Sequence, residues 1–199
     1  MIIEVDEYKK LIPGYNPDRS EDFHSESAKL ANKEFDQCLK SGKYKRIIFM
    51  AGGTASGKTE FAQSYFWKKD QLVYDGTLKH FNGFDIKVRN IKRFAKNNAK
   101  IKVVLIIPQD IQQAFEIFLT RERKMKNEVF FETHRKSVKT VAEILLNTKY
   151  RVEIYVSELD SEVKKLKYKR LKITSRFKIA KFLQGYSNLI ESMENVHLK

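Results

Sequence analysis

Eight consecutive residues, Gly52-Gly53-Thr54-Ala55-Ser56-Gly57-Lys58-Thr59, fit the spacing G-x-x-x-x-G-K-[ST] at every fixed position. Glycines in such a loop let the backbone curl around a phosphate chain where a Cβ would clash. Successive backbone N–H groups then point into one anion-binding concavity. A lysine at the seventh position reaches β- and γ-phosphates, and a hydroxyl at the eighth can sit on Mg²⁺. The eight residues are therefore the candidate ATP-binding loop, with Lys58 also a candidate catalytic residue and Thr59 the candidate Mg²⁺ ligand. The chain has eight glycines in all and three of them fall here, which argues against a chance match in a glycine-rich turn.

A second constellation is Tyr74-Asp75-Gly76-Thr77. An acid at the end of the strand that follows the loop's helix can hold Mg²⁺ through water. It can also take the proton from an acceptor hydroxyl as that hydroxyl attacks the γ-phosphate. Asp75 is thus a candidate base or metal organiser. Asp-Gly is also a common turn dipeptide, and a turn role remains open. Arg121 and Arg123, in the basic run Arg121–Lys126, suit a lid that neutralises charge on a transferring phosphoryl group. An ordinary basic helix end would carry the same residues.

Positioning elements surround these residues. Ile47–Met50 is an apolar run of strand length leading into the loop, and Glu60, Phe61 and Ala62 open a helix after it. Leu72–Asp75, Ile101–Ile107 and Arg151–Val156 read as further strands. Helical spacing runs through Phe23–Leu39 and Phe84–Ala95, starts again at Asp110, and resumes after Thr133, read as a cap. Strands alternating with helices predict an α/β fold, a mostly parallel sheet with helices on both faces of a P-loop NTPase or kinase kind. Ligands of such sheets sit at the carboxyl ends of the strands.

Pro13, Gly14 and Pro17 break any periodic element near the start, so residues 1–19 read as an irregular segment. Residues 20–157 read as the kinase-like domain and 158–199 as a basic extension packed on it. Between Val163 and Phe182 there are nine lysines and arginines and no acid. Two readings are open for this tail. It could track nucleic-acid phosphates with Tyr168 and Phe177 as stacking groups. It could instead be a solvated strand and a helix docking Ile179, Leu183, Tyr186 and Ile190, the reading that charge runs usually favour.

Composition bounds the rest. With 199 residues, 42% hydrophobic and 12% aromatic, the chain has the make-up of one globular domain. A single cysteine, Cys38, excludes an internal disulfide framework and a multi-cysteine zinc site. Cys38 falls on an apolar helix face, as a core thiol does. No apolar run approaches a membrane span, and a cytoplasmic location with no membrane partner is expected. A net charge of +14 favours polyanions or a phosphorylated substrate, or reflects a lysine-rich surface.

The set AGGTASGKTEF, YDGTL, IKVVLIIP, the arginines of LTRERK and Thr133-His134 resembles the zeta-toxin family of P-loop kinases over most of residues 20–156. The resemblance implies transfer of the γ-phosphate of ATP to a hydroxyl of UDP-N-acetylglucosamine, and pairing with an antitoxin protein. That family has an acidic base after the second strand and, further along, an acidic-Gly-Thr segment for the sugar nucleotide. This chain carries one such segment, Asp75-Gly76-Thr77, seventeen residues after Lys58, and the resemblance implies that Asp75 and Thr77 help hold the acceptor. The expectation is an ATP/Mg²⁺-dependent phosphotransferase with a small-molecule acceptor. The alternatives are a nucleic-acid-associated P-loop protein, such as a polynucleotide kinase or NTPase, and an ATP-binding module without transfer activity.

Overall fold

The computed structural model describes residues 1–65, 68–95, 99–122, 124–160, 165–172 and 175–198. Arg123 lies outside them, as does part of the basic run beginning at Val163. In chain order the elements are β1 (Ile2–Glu4), α1 (His24–Lys40), β2 (Arg46–Ala51), α2 (Lys58–Ser64), β3 (Gln71–Asp75) and α3 (Phe81–Phe94). They continue with β4 (Lys100–Pro108), α4 (Ile111–Leu119), α5 (Asn127–Asn147), β5 (Arg151–Asp160), β6 (Lys165–Arg170) and α6 (Arg176–His197). The strands form one sheet in the order β1-β3-β2-β4-β5-β6. Strands β1 to β5 are parallel, and β6 runs antiparallel to β5.

The central strands are apolar on both faces, as a covered parallel sheet requires. Ile47, Phe49, Leu72, Val103, Leu105 and Ile154 point to one face. There they meet Phe35 of α1, Phe84 and Val88 of α3, Val141 and Ile144 of α5, and Leu183 of α6. Ile48, Met50, Val73, Val104, Ile106 and Tyr155 point to the other, where Phe61 of α2 covers them. Four helices on one side against α2 on the other make the two layers unequal among the described residues. A smaller apolar cluster joins Phe115 and Phe118 of α4, Phe130 and Phe131 of α5, and Ile190 of α6. Cys38 is buried on the inner side of α1.

Three expectations need correction. Residues 1–19 are not wholly irregular: Ile2–Glu4 pairs with Val73–Asp75 as an edge strand, and the amino terminus donates to the Gln71 carbonyl at 3.1 Å. Pro13, Gly14 and Pro17 break the chain only after that strand and a short 3₁₀ turn at Glu7–Leu11. Thr133 does not cap a helix, because α5 already begins at Asn127 and buries Phe130 and Phe131. Its hydroxyl donates back to the Phe130 carbonyl at 3.0 Å. The boundary drawn at residue 157 falls inside β5, which runs to Asp160 and pairs there with β6.

The basic extension is therefore part of the sheet and of the core. Leu183 and Ile190 have no exposed surface, and the Tyr186 hydroxyl donates to the Pro108 carbonyl at 3.1 Å. Arg176, at the start of α6, donates to the carbonyls of Leu145, Thr148 and Tyr150. We expect Leu183→Ala to lower stability by about 2–5 kcal/mol in urea unfolding, the cost of a large buried aliphatic truncated without collapse. Phe177, 73% exposed, should tolerate alanine within about 0.5 kcal/mol. Equal costs at the two positions would mean that α6 does not dock as described.

Candidate functional site

Strand β2 delivers the glycine loop to the carboxyl end of the sheet, beside the end of β3. Its glycines are there for three different reasons. Gly52 takes φ +138°, and a Cβ on it would run into the Ile106 carbonyl of β4. A Cβ on Gly53 would overlap the His134 ring of α5. Gly57 takes φ +84° at the cap of α2, and a Cβ there would come within 2.7 Å of the Leu166 side chain of β6. Ala55 also adopts a left-handed φ, +62°.

Three loop carbonyls are drawn outward into the protein. His134 Nε2 donates to the Thr54 carbonyl at 2.8 Å, Ser157 Oγ to that of Ser56 at 2.9 Å, and Tyr168 Oη to that of Gly57 at 2.8 Å. In a trans peptide the N–H of the next residue points opposite to the carbonyl. The amides of Ala55, Gly57 and Lys58 are thereby turned away from those side chains, toward the open side of the loop. Thr133 Oγ1 accepts from the Thr54 amide at 3.1 Å and fixes the loop's first turn. Three amides therefore face the open side of the loop, an arrangement that would suit an anion.

Lys58 reaches back across the loop, its Nζ donating to the Gly53 carbonyl at 2.7 Å. Thr59 Oγ1 donates to Asp75 Oδ2 at 3.3 Å. The other carboxylate oxygen, Asp75 Oδ1, is buried with no hydrogen-bond partner among the described residues. A cavity of about 460 Å³ is lined by Thr54 to Thr59, by Asp75 and Thr77, and by Arg121. Gly52 and Gly53 form the root of the loop behind it. Thr77 also braces the loop, its carbonyl accepting from Ser137 Oγ and from the Gly52 amide.

Burial dominates the electrostatics. It pulls the Lys58 ammonium below its ordinary pKa, with Asp75 and then Asp6 opposing and Arg121 adding to the fall. It pushes Asp75 from an ordinary 3.8 up to about 6, against the pull of Lys58, with Glu4 adding to the rise. His134 falls to about 3, so it is neutral at physiological pH, a support for the loop rather than a proton carrier. Asp75 is thus a buried carboxylate with one spare oxygen beside a hydroxyl, which suits a cation. Mg²⁺ is commonly held by one or two carboxylates plus substrate phosphates, so the Thr59–Asp75 pair fits it. Among the described residues no three His, Cys, Asp or Glu side chains converge on a metal position.

Reasoning from sequence brought Lys58, Thr59, Asp75, Thr77 and Arg121 to one place, and the structure puts them there. It missed the supports. Ser157 follows the apolar run of β5 and gives no signal. Tyr168, a stacking group in one of the two readings of the tail, spends its hydroxyl on Gly57. It also missed that Glu4, Asp6 and Glu7 of the first segment line the same cavity. No protein-family model matches the chain, and no curated protein matches it in sequence. Among the described residues no helix is long and apolar enough to cross a membrane.

Gly53→Ala should destabilise the protein, and His134→Ala in the same chain should recover part of the loss. A coupling of about 1 kcal/mol or more in the double-mutant cycle is expected, and additivity would refute the contact. Asp75 holds its proton more tightly folded than unfolded, so its ionisation removes stability as pH rises from about 4 to about 6. Asp75→Asn should lack that slope. In urea unfolding it should match the parent at pH 4 and exceed it at pH 7 by about 3 kcal/mol, the equivalent of roughly two pKa units.

Proposed function

We propose that the protein is an ATP/Mg²⁺-dependent phosphotransferase of zeta-toxin-like type, moving the γ-phosphate of ATP to a hydroxyl of a small molecule in the cytoplasm. The single observation that carries this reading is the glycine loop with its outward carbonyls, closed by Lys58 and faced by the Thr59–Asp75 pair across one cavity. The amides of Ala55, Gly57 and Lys58 would hold the phosphate chain, with the Lys58 ammonium over its β- and γ-phosphates. Thr59 and Asp75 would hold Mg²⁺, which supplies charge neutralisation between those phosphates. Arg121 is near enough to depress the pKa of both Lys58 and His134, so its charge reaches the same space. There it would balance negative charge developing on the transferred group.

The cavity favours a small acceptor over a polynucleotide. Its volume of about 460 Å³ lies within the usual range for small-molecule sites. Glu4 and Asp6 on its rim offer carboxylates to which an acceptor's hydroxyls can donate. UDP-sugars are the first acceptors to try, as the resemblance suggests, and an antitoxin protein is the partner it suggests. The basic strand considered as a grip for nucleic acid is committed to the sheet through β5.

Lys58→Ala should weaken Mg²⁺–ATP binding at least tenfold in calorimetry while leaving the melting temperature within a few degrees of the parent. Incubation with γ-labelled ATP and a panel of sugar nucleotides, nucleosides and oligonucleotides should label a small hydroxyl compound and leave the oligonucleotides unlabelled. Unchanged affinity in the variant, or labelled oligonucleotide alone, would refute this reading.

A further inference from the structure

The amino-terminal segment ends over the cavity and carries a costly arrangement. Strand β1 pairs with β3 so that Glu4 lies beside Asp75, and the Val5 amide donates to the Asp75 carbonyl at 3.1 Å. One turn later Lys9 is buried, 1% exposed. A buried ammonium is unfavourable unless paired and hydrogen-bonded. Lys9 Nζ lies 3.0 Å from Asp6 Oδ1 and donates to Ser20 Oγ at 3.0 Å. This pair fixes Asp6, whose side chain stays about half exposed and lines the same cavity as the loop.

The three carboxylates on that rim are not equivalent. Glu7 accepts from Lys10 through both its oxygens at 2.7 Å, outside the cavity chemistry. Glu4 is held against α2, where Gln63 bonds it. Asp6 is close enough to both Lys58 and Asp75 to raise the pKa of each. Asp75 itself is committed on the loop side, through Oδ2 to Thr59, and its buried Oδ1 has no partner among the described residues.

We infer that Asp6 is the catalytic base for the acceptor hydroxyl and Lys9 its positioning residue, while Asp75 serves the metal with Thr59. The inference rests on the phosphotransferase reading above. In the step, the acceptor hydroxyl gives its proton to the Asp6 carboxylate as its oxygen bonds to the γ-phosphorus. The bond from that phosphorus to the β–γ bridging oxygen breaks, and the nucleoside diphosphate leaves. Exposure of Asp6 lets the proton pass on to solvent. The lysine holds the carboxylate at the cavity rim, much as a base in other transfer enzymes is oriented by a third group.

The test uses the full chain and two probes. Affinity is read with Mg²⁺ and adenylyl imidodiphosphate, and turnover with γ-labelled ATP, using UDP-N-acetylglucosamine and water as acceptors. Asp6→Asn keeps an oxygen for Lys9 and removes the base. It should leave analogue affinity within twofold and lower turnover by about 10²–10⁴-fold. Lys9→Met should lower kcat with KM for ATP unchanged, and combining it with Asp6→Asn should cost little more than Asp6→Asn alone. A parent that binds and turns over while Asp6→Asn matches it would overturn the assignment of Asp6 and leave the phosphotransferase reading standing. A parent that neither binds the analogue nor turns over ATP would overturn both.

Discussion

The site depends on where three peptide carbonyls point. Each accepts from one side chain, of α5, β5 and β6 in turn, at sequence separations of 80, 101 and 111 residues, and that of Gly57 also accepts from the Phe61 amide of α2. A backbone carbonyl left buried without a donor would cost about 1–3 kcal/mol, so the His134 and Ser157 bonds fix the Thr54 and Ser56 peptides as well as adding stability, while Tyr168 adds to a bond the helix already makes. Because peptides are rigid, fixing the carbonyls fixes the amides. The amide-lined face of the loop is thus shaped by residues far away in the chain, and the glycines supply the freedom to adopt it. Packing against His134 and Leu166 then removes the space that any Cβ would need at Gly53 or Gly57.

That dependence explains why the basic extension cannot be an appendage. Tyr168 sits mid-strand in β6, half-buried, with Leu166 beside it over Gly57, while Lys165, Lys167 and Lys169 alternate with them toward solvent. β6 is also the last strand of the sheet. Lysines along an edge strand discourage pairing with another chain. One period-two pattern therefore places the loop support inward and the edge protection outward. Much of the local positive charge has a structural reason that does not involve a polyanion. Lys167 pairs with Asp160 at 2.5 Å, and Arg170, Arg151 and Lys102 surround the buried Glu153.

The parts legible in sequence were those set by spacing along a single segment. The loop motif, the apolar strands and the acid ending β3 are local patterns, and Asp110 caps α4 as its position suggested, accepting from the Gln113 amide at 3.0 Å. What escaped was set by pairing across the sheet. A three-residue strand such as Ile2–Glu4 is too short to show alternation, and the prolines that follow obscured it. Lys9 gave no sign of burial, because its burial depends on Asp6 and Ser20 reaching it. The start of α5 was misjudged because Val129-Phe130-Phe131 reads as a short apolar run. Only docking against α4 shows those rings to be one buried helical face.

The two ends of the chain thus meet the glycine loop from opposite sides. From the carboxyl-terminal side, β5 and β6 shape the backbone through neutral hydroxyls, and this half of the site is built from dipoles. From the amino-terminal side, β1 and the turn after it bring carboxylates, and this half is built from charge. The division suits the chemistry proposed for the site. Dipoles can hold a phosphate chain without changing protonation state, whereas moving a proton needs an ionisable group with access to water. Asp75 lies between the halves, buried like the first and charged like the second. Burial raises its pKa to about 6, and a cation beside Thr59 would favour the charged form instead, so proton and metal compete for one carboxylate.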